Sequence, residues 1–135
     1  MANLVDKIKA LSVHAPHAYA ICLGKKQFEY RSWATKKRGW VLIHATASTS
    51  DDSYFHEYGI NPKTVYRQAI IGASYIADCL PDEDGGYMFK MTRSFLFKVP
   101  VLNIKGQIKF WGHSNDPTKV KGFAQAIEQM AATFK

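Results

Sequence analysis

The sequence predicts an α+β domain: a small, partly closed β-barrel with flanking helices and a C-terminal amphipathic helix. Two observations carry this. Strand-like segments outnumber helical ones and several are short, whereas only the stretch after Asp116-Pro117 keeps a long helical period. A length of 135 residues suits one ordinary core and not two comfortable domains. Residues 1–135 are therefore read as one domain, its core at about 10–113 and its last helix at about 117–134.

In chain order, Asn3 to Lys9 has weak helical spacing (Leu4, Val5, Ile8), and Ala10–His14 reads as a short strand. Pro16 suits the first turn of a helix, where its missing N–H is harmless. Ala18, Ile21 and Cys22 give that helix an apolar side through Leu23, and Gly24 stops it. A strand over Lys26–Trp33 follows. Gly39 begins Trp40–Ala45, a continuous apolar run that suits a strand buried on both faces. The polar stretch Thr46–Asp52 is rich in helix N-caps and leads to a short helix over Tyr54–Tyr58, ending at Gly59. Asn61-Pro62 starts another, to about Tyr66. Ala69–Cys79 is a long strand whose Gly72 marks a bend or bulge. Pro81–Gly86 is a loop, and strands resume at Tyr87–Arg93, Phe95–Val99 and Gln107–Trp111. Asp116-Pro117 then opens a core-facing helix with Val120, Phe123, Ala124, Ile127, Met130, Ala131 and Phe134 on one stripe.

Bulk properties narrow the function classes. Hydrophobic residues at 47% and charged residues at 21% are those of a folded soluble protein. No apolar run approaches the roughly 20 residues of a membrane span, so no membrane partner is expected. The start, Met1 to Lys7, lacks a signal peptide's basic-then-apolar order. Cys22 and Cys79 have no metal-ligand spacing and read as reduced thiols of a cytoplasmic protein. The net charge is +7, and between Lys25 and Arg38 six basic residues face one acid, Glu29. Such a patch (Lys36, Lys37 and Arg38 at its end) suits a polyanion held through its phosphates, or is simply a solvated turn.

The stretch Gly24–Trp33 is the most specific. Successive strand side chains point to opposite faces, so Phe28 and Tyr30 share one face and Glu29, Arg31 and Trp33 the other. With the aromatic pair in the core, a carboxylate, a guanidinium and an indole line an exposed groove. Lys26 can donate to a phosphate or carbonyl, or act as a base in a dry pocket. Glu29 can accept from the N–H edge of a base or shuttle a proton, and Arg31 suits phosphate. Glu29 can equally be the internal counter-ion of Lys26 or Arg31. Trp33 and Trp40 offer stacking faces or core packing, and His44 is either a satisfied core histidine or a site residue. No H-E-x-x-H or related spacing and no G-x-S-x-G motif occurs, so neither metal nor cofactor is expected.

Gly24, Lys26, Glu29 and Arg31 match G-x-K-x-x-E-x-R, and the chain thereby resembles the ASCH domain family of the PUA-like superfamily. The similarity runs in order through Leu11-Ser12-Val13, Pro16, Ala18, Arg31-Ser32-Trp33, Arg38-Gly39, Leu42–Ala45, Ile70-Ile71-Gly72 and Asp78-Cys79, and ends at Ile104–Gln107 and Phe110-Trp111. The resemblance implies a PUA-like pseudo-barrel with a cleft between the first helix's N-terminal loop and the signature segment. It implies recognition of RNA, another single-stranded nucleic acid or a modified nucleoside by a binding module. The alternative it implies is a small hydrolase of N4-acylated cytidine, or a ribonuclease, with Lys26 and Glu29 reactive. On this reading Lys26, Glu29 and Arg31 face the ligand; Pro16, His17, Ser32, Trp33, Lys36, Lys37 and Arg38 complete the candidate binding set. His17 stands where such relatives often carry an aromatic residue, and Glu29 where the amidohydrolase branch carries threonine.

Overall fold

A computed structural model of the protein describes residues 3–134. Met1, Ala2 and Lys135, the ends of the single domain expected over 1–135, lie outside the described residues. Six strands form one sheet: β1 (Lys9–Val13), β2 (Phe28–Arg31), β3 (Gly39–Ala45), β4 (Ala69–Pro81), β5 (Tyr87–Val101) and β6 (Phe110–Trp111). Their spatial order is β2-β5-β4-β3-β1-β6. β1 and β3 run parallel and every other pair is antiparallel. Among the described residues four α-helices accompany them: α1 (Leu4–Lys7), α2 (Ala15–Cys22), α3 (Tyr54–Tyr58) and α4 (Pro117–Thr133). Among the described residues no helix is long and apolar enough to cross a membrane.

β3 explains the architecture. Val41 to Ala45 are all buried, because alternate side chains enter two different cores. Val41, Ile43 and Ala45 pack with Leu11, Phe55 and the α2 residues Ala18 and Ile21. Leu42 packs on the opposite face with Ile104, Phe123 and Met130. The helices therefore cover both faces of a curled half-barrel sheet. α2 lies very close to β4: a Cβ on Gly72 would sit 2.7 Å from Cys22 Sγ and 2.2 Å from the Phe95 carbonyl oxygen. That approach requires glycine.

Edge strands β2 and β6 come together through aromatic rings. Trp33, just past β2, meets Phe110 of β6 edge-on at 5.5 Å and Phe89 of β5 at 5.2 Å. Phe89 and Phe110 stack at 6.1 Å. The half-barrel is thus closed by side chains where the backbone ladder stops, which protects both edges.

Several elements differ from expectation. Tyr87–Arg93 and Phe95–Val99 are one strand interrupted by a bulge, because Thr92 pairs with Tyr75 and Phe95 with Ala73, leaving Arg93 and Ser94 opposite Ser74 alone. The helix expected from Asn61 shrinks to a single 3₁₀ turn, Pro62–Thr64, capped by the Asn61 side chain. Gln107–Ile108–Lys109 is loop, and only Phe110–Trp111 pairs with β1. Lys26, Gln27, Ser32 and Trp33 fall outside β2.

The last helix begins at the expected place, with Asp116 Oδ1 accepting from the Thr118 and Lys119 amides. Its contact stripe is rotated from the expected one. Phe123 and Met130 are buried and Val120 and Ile127 half-buried, while Ala124, Ala131 and Phe134 are exposed and Gly122 and Ala126 meet the sheet instead. The rotation follows from close approach: a Cβ on Gly122 would sit 2.9 Å from Ile104 Cδ1. The Gln129 amide also exchanges two hydrogen bonds with the Val99 backbone, pinning α4 to β5.

Candidate functional site

A cleft of about 870 Å³ opens at one end of the half-barrel. Its walls come from the β1–α2 junction (Ser12–His14, His17), the segment Lys26–Trp33, the α3 region (Asp51, Tyr54, Tyr58) and the loop Gln107–Lys109. Its size lies within the roughly 300–1,000 Å³ typical of small-ligand sites.

Glu29 and Arg31 share a face of β2, as the alternation requires, but the orientation expected for that face is corrected. Glu29 is 7% exposed, whereas Tyr30 is 54% exposed and Phe28 only half-buried. The charged face points inward because its charges find partners there. Arg31 donates through Nε (3.0 Å) and Nη2 (2.7 Å) to the same Glu29 oxygen, Oε2. Nη2 also donates to the Ser12 carbonyl at 2.9 Å, so one guanidinium ties β2 to β1 across the barrel mouth. Glu29 Oε1 faces Lys26 Nζ at 3.8 Å, beyond hydrogen-bond range. Burial holds the Lys26 ammonium below its ordinary range; the Glu29 carboxylate opposes that shift and Arg31 adds to it. Lys26 Nζ also lies 4.7 Å from the centre of the Tyr30 ring.

The facing wall carries a second polar chain. Asp51 Oδ2 meets His14 Nδ1 at 2.8 Å and His17 Nε2 at 3.2 Å, and His17 Nδ1 meets the Tyr58 hydroxyl at 2.8 Å. The hydrogen bond from His14 holds the Asp51 carboxyl below the usual carboxylate range, against some desolvation. His17 is lowered, first by burial and then by the Lys26 charge, while Glu29 and Asp51 pull the other way. Burial, followed by the negative charge of Glu29, pushes the Tyr58 phenol up. Among the described residues no three His, Cys, Asp or Glu side chains are arranged to hold a metal ion.

Beneath the cleft, His44 is 1% exposed. Its Nε2 contacts the Ile104 carbonyl at 2.6 Å and its Nδ1 the Ser12 hydroxyl at 3.1 Å. A carbonyl only accepts, so Nε2 carries the proton and Nδ1 accepts from Ser12, whose oxygen in turn accepts from Trp111 Nε1 at 3.0 Å. Every polar atom of this chain is satisfied, which makes His44 a core histidine that supports the cleft floor. Burial holds its ring below the ordinary histidine range.

Of the residues singled out in the sequence, His17, Lys26, Glu29, Arg31 and Trp33 come together in the cleft, while Pro16, Ser32, Lys36, Lys37 and Arg38 are not in its lining. Pro16 is buried in α2, Ser32 and Lys36 are exposed, and Lys37 Nζ lies over the Phe110 ring. Arg38 Nη2 is 3.6 Å from Asp78, so part of the basic run is neutralised at home. Trp40 lies away from the cleft, packed with Tyr75, Phe95 and Phe134. Sequence reasoning did not single out Asp51, Tyr54, Tyr58 or Gln107–Lys109. Asp51 reads locally as one more cap-type residue, and no short-range spacing connects it to His14, 37 positions away.

The ASCH domain family model matches residues 11–126. The chain is a member of the ASCH domain family, and Lys26, Glu29 and Arg31 of its G-x-K-x-x-E-x-R segment line the cleft. No curated protein matches the chain.

Proposed function

We propose that this ASCH domain is a nucleic-acid-binding module that holds a nucleotide of single-stranded RNA, unmodified or modified, in the Lys26–Glu29 cleft. The observation that carries this reading is Glu29 itself: a buried carboxylate anchored through Oε2, with Oε1 left free 3.8 Å from a lysine. That pair presents an acceptor beside a donor, the complement of a base edge that carries both N–H and carbonyl groups. The rings of Trp33, Tyr54 and Tyr30 line the same space and supply stacking faces, worth roughly 1–3 kcal/mol per base. Lys109 at the rim supplies a phosphate contact.

Titration of a labelled single-stranded RNA by fluorescence anisotropy at several salt concentrations tests this. Binding that weakens with salt and is reduced at least tenfold by Lys26→Ala, but not by Lys121→Ala on the exposed side of α4, is the expected result. Equal affinity of wild type and Lys26→Ala would overturn it.

Hydrolysis is the second reading, and the position of Lys26 in the cleft favours it, because burial shifts the amine toward its neutral, proton-accepting form even though Glu29 opposes that shift. Incubation with N4-acylcytidine and with RNA, beside Lys26→Ala, separates the two: product formed by wild type and not by the variant supports hydrolysis.

A further inference from the structure

We infer that the bound strand continues out of the cleft, past Lys26, into a second groove where Lys90 and Arg93 hold its phosphodiester backbone; this rests on the nucleic-acid reading above and specifies a polynucleotide rather than a free nucleoside. The second groove, about 320 Å³, is lined by Gly24, Lys26 and Gln27 on one side and by residues 90–94 of β5 on the other. Lys26 lines both the groove and the main cleft and so stands at their common boundary.

The groove differs from the cleft in charge. Three of its residues, Lys26, Lys90 and Arg93, are cationic, and no carboxylate lines it. Among the described residues, neither Lys90 nor Arg93 takes part in an ion pair. The Thr92 and Ser94 hydroxyls are engaged within the sheet, with the Tyr75 carbonyl and Ser74 Oγ, so the cationic side chains alone offer contacts to a phosphate.

The β5 bulge is the second observation. Arg93 has φ 53°, a left-handed conformation unfavourable for a long side chain, and with Ser94 it forms the two-for-one mismatch opposite Ser74. A bulge re-aims a side chain that a regular strand would direct elsewhere. Here the guanidinium lies over the faces of Trp40 (5.0 Å) and Tyr75 (5.4 Å). These cation–π contacts restrain an exposed guanidinium, an arrangement suited to phosphate.

The test compares two probes, a nucleoside 5′-monophosphate and a labelled eight-nucleotide single-stranded RNA, on wild type and a Lys90→Gln/Arg93→Gln variant, with thermal melting to establish that the variant folds. The expected result is monophosphate affinity unchanged and RNA affinity reduced about tenfold. The slope of log K against log salt should become shallower by about 1.4, two phosphate contacts at roughly 0.7 each. Unchanged RNA affinity and salt slope in the folded variant would overturn the groove assignment while leaving the cleft reading intact. If wild type binds neither probe, the cleft reading fails and the groove with it. Should the double variant not fold, Lys90→Gln alone is read against the same criteria, at half the slope change.

Discussion

Arg31 holds Glu29 by a single carboxylate oxygen, with Nε and Nη2 both on Oε2, and leaves the other oxygen turned toward Lys26 in the cleft. The carboxylate that pairs with Arg31 inside the fold is thus the same one that lines the cleft. The pair also bears on stability, because Arg31 Nη2 reaches the Ser12 carbonyl.

Arg31→Ala should therefore destabilise the protein by about 3 kcal/mol, the low end for breaking a buried pair, since Arg31 is partly exposed. Lys26→Ala, which removes no hydrogen bond to Glu29 and leaves that carboxylate paired with Arg31, should cost less, about 1 kcal/mol. Urea unfolding of the two variants checks this ordering; a Lys26→Ala loss as large as that of Arg31→Ala would contradict it.

Closure of the barrel by side chains makes Trp33 a stability residue. Trp33→Ala should lose about 2 kcal/mol, less than a fully buried tryptophan because the indole is half-buried. A double-mutant cycle with Phe110→Ala should return a coupling of roughly 0.5–1.5 kcal/mol. Zero coupling would mean that the edge-on contact at 5.5 Å does not close the barrel.

Gly106 lies against the floor of the cleft. A Cβ there would fall 2.4 Å from Ser12 Oγ and 2.7 Å from His44 Cε1. Gly106→Ala should cost roughly 1–3 kcal/mol by forcing the Ser12–His44 pair apart. Hydrogen exchange at the Ser12 and His44 amides should rise more than in α4.

Acid should weaken the fold in a window set by histidine. Burial lowers His44 in the folded state, with Lys119 adding to the shift and the Ile104 carbonyl opposing it. The unfolded chain then takes up the proton first. Stability is complete above about pH 6.5 and falls as pH drops from there toward the folded value. His17, also lowered, acts in the same direction. Each contributes at most about 1.4 kcal/mol per pH unit. Asp51 is lost only lower, as pH falls through its depressed carboxyl value. Urea unfolding between pH 7 and 5 should show a smaller slope in His44→Gln than in wild type; identical slopes would remove His44 from the account.

Much of the fold is legible locally. Asp116-Pro117 caps α4, Gly59 ends α3 in a left-handed conformation, and the apolar run of β3 is buried on both faces. Each depends on residues adjacent in the chain. The bulge that joins the two halves of β5 is not legible, because it is defined by a partner, Ser74, about twenty residues away.

For the site, the sequence by itself determined that Gly24, Lys26, Glu29 and Arg31 form one signature and that Glu29 and Arg31 share a face, since alternation is a property of the extended backbone. Only the tertiary structure decided that this face turns inward while Tyr30 faces solvent. An edge strand can present either side, and the choice is made by the Ser12 carbonyl, Phe89 and Phe110, which no local pattern brings near. The Asp51–His17–Tyr58 wall and the groove at Lys90 and Arg93 likewise exist only once distant segments meet.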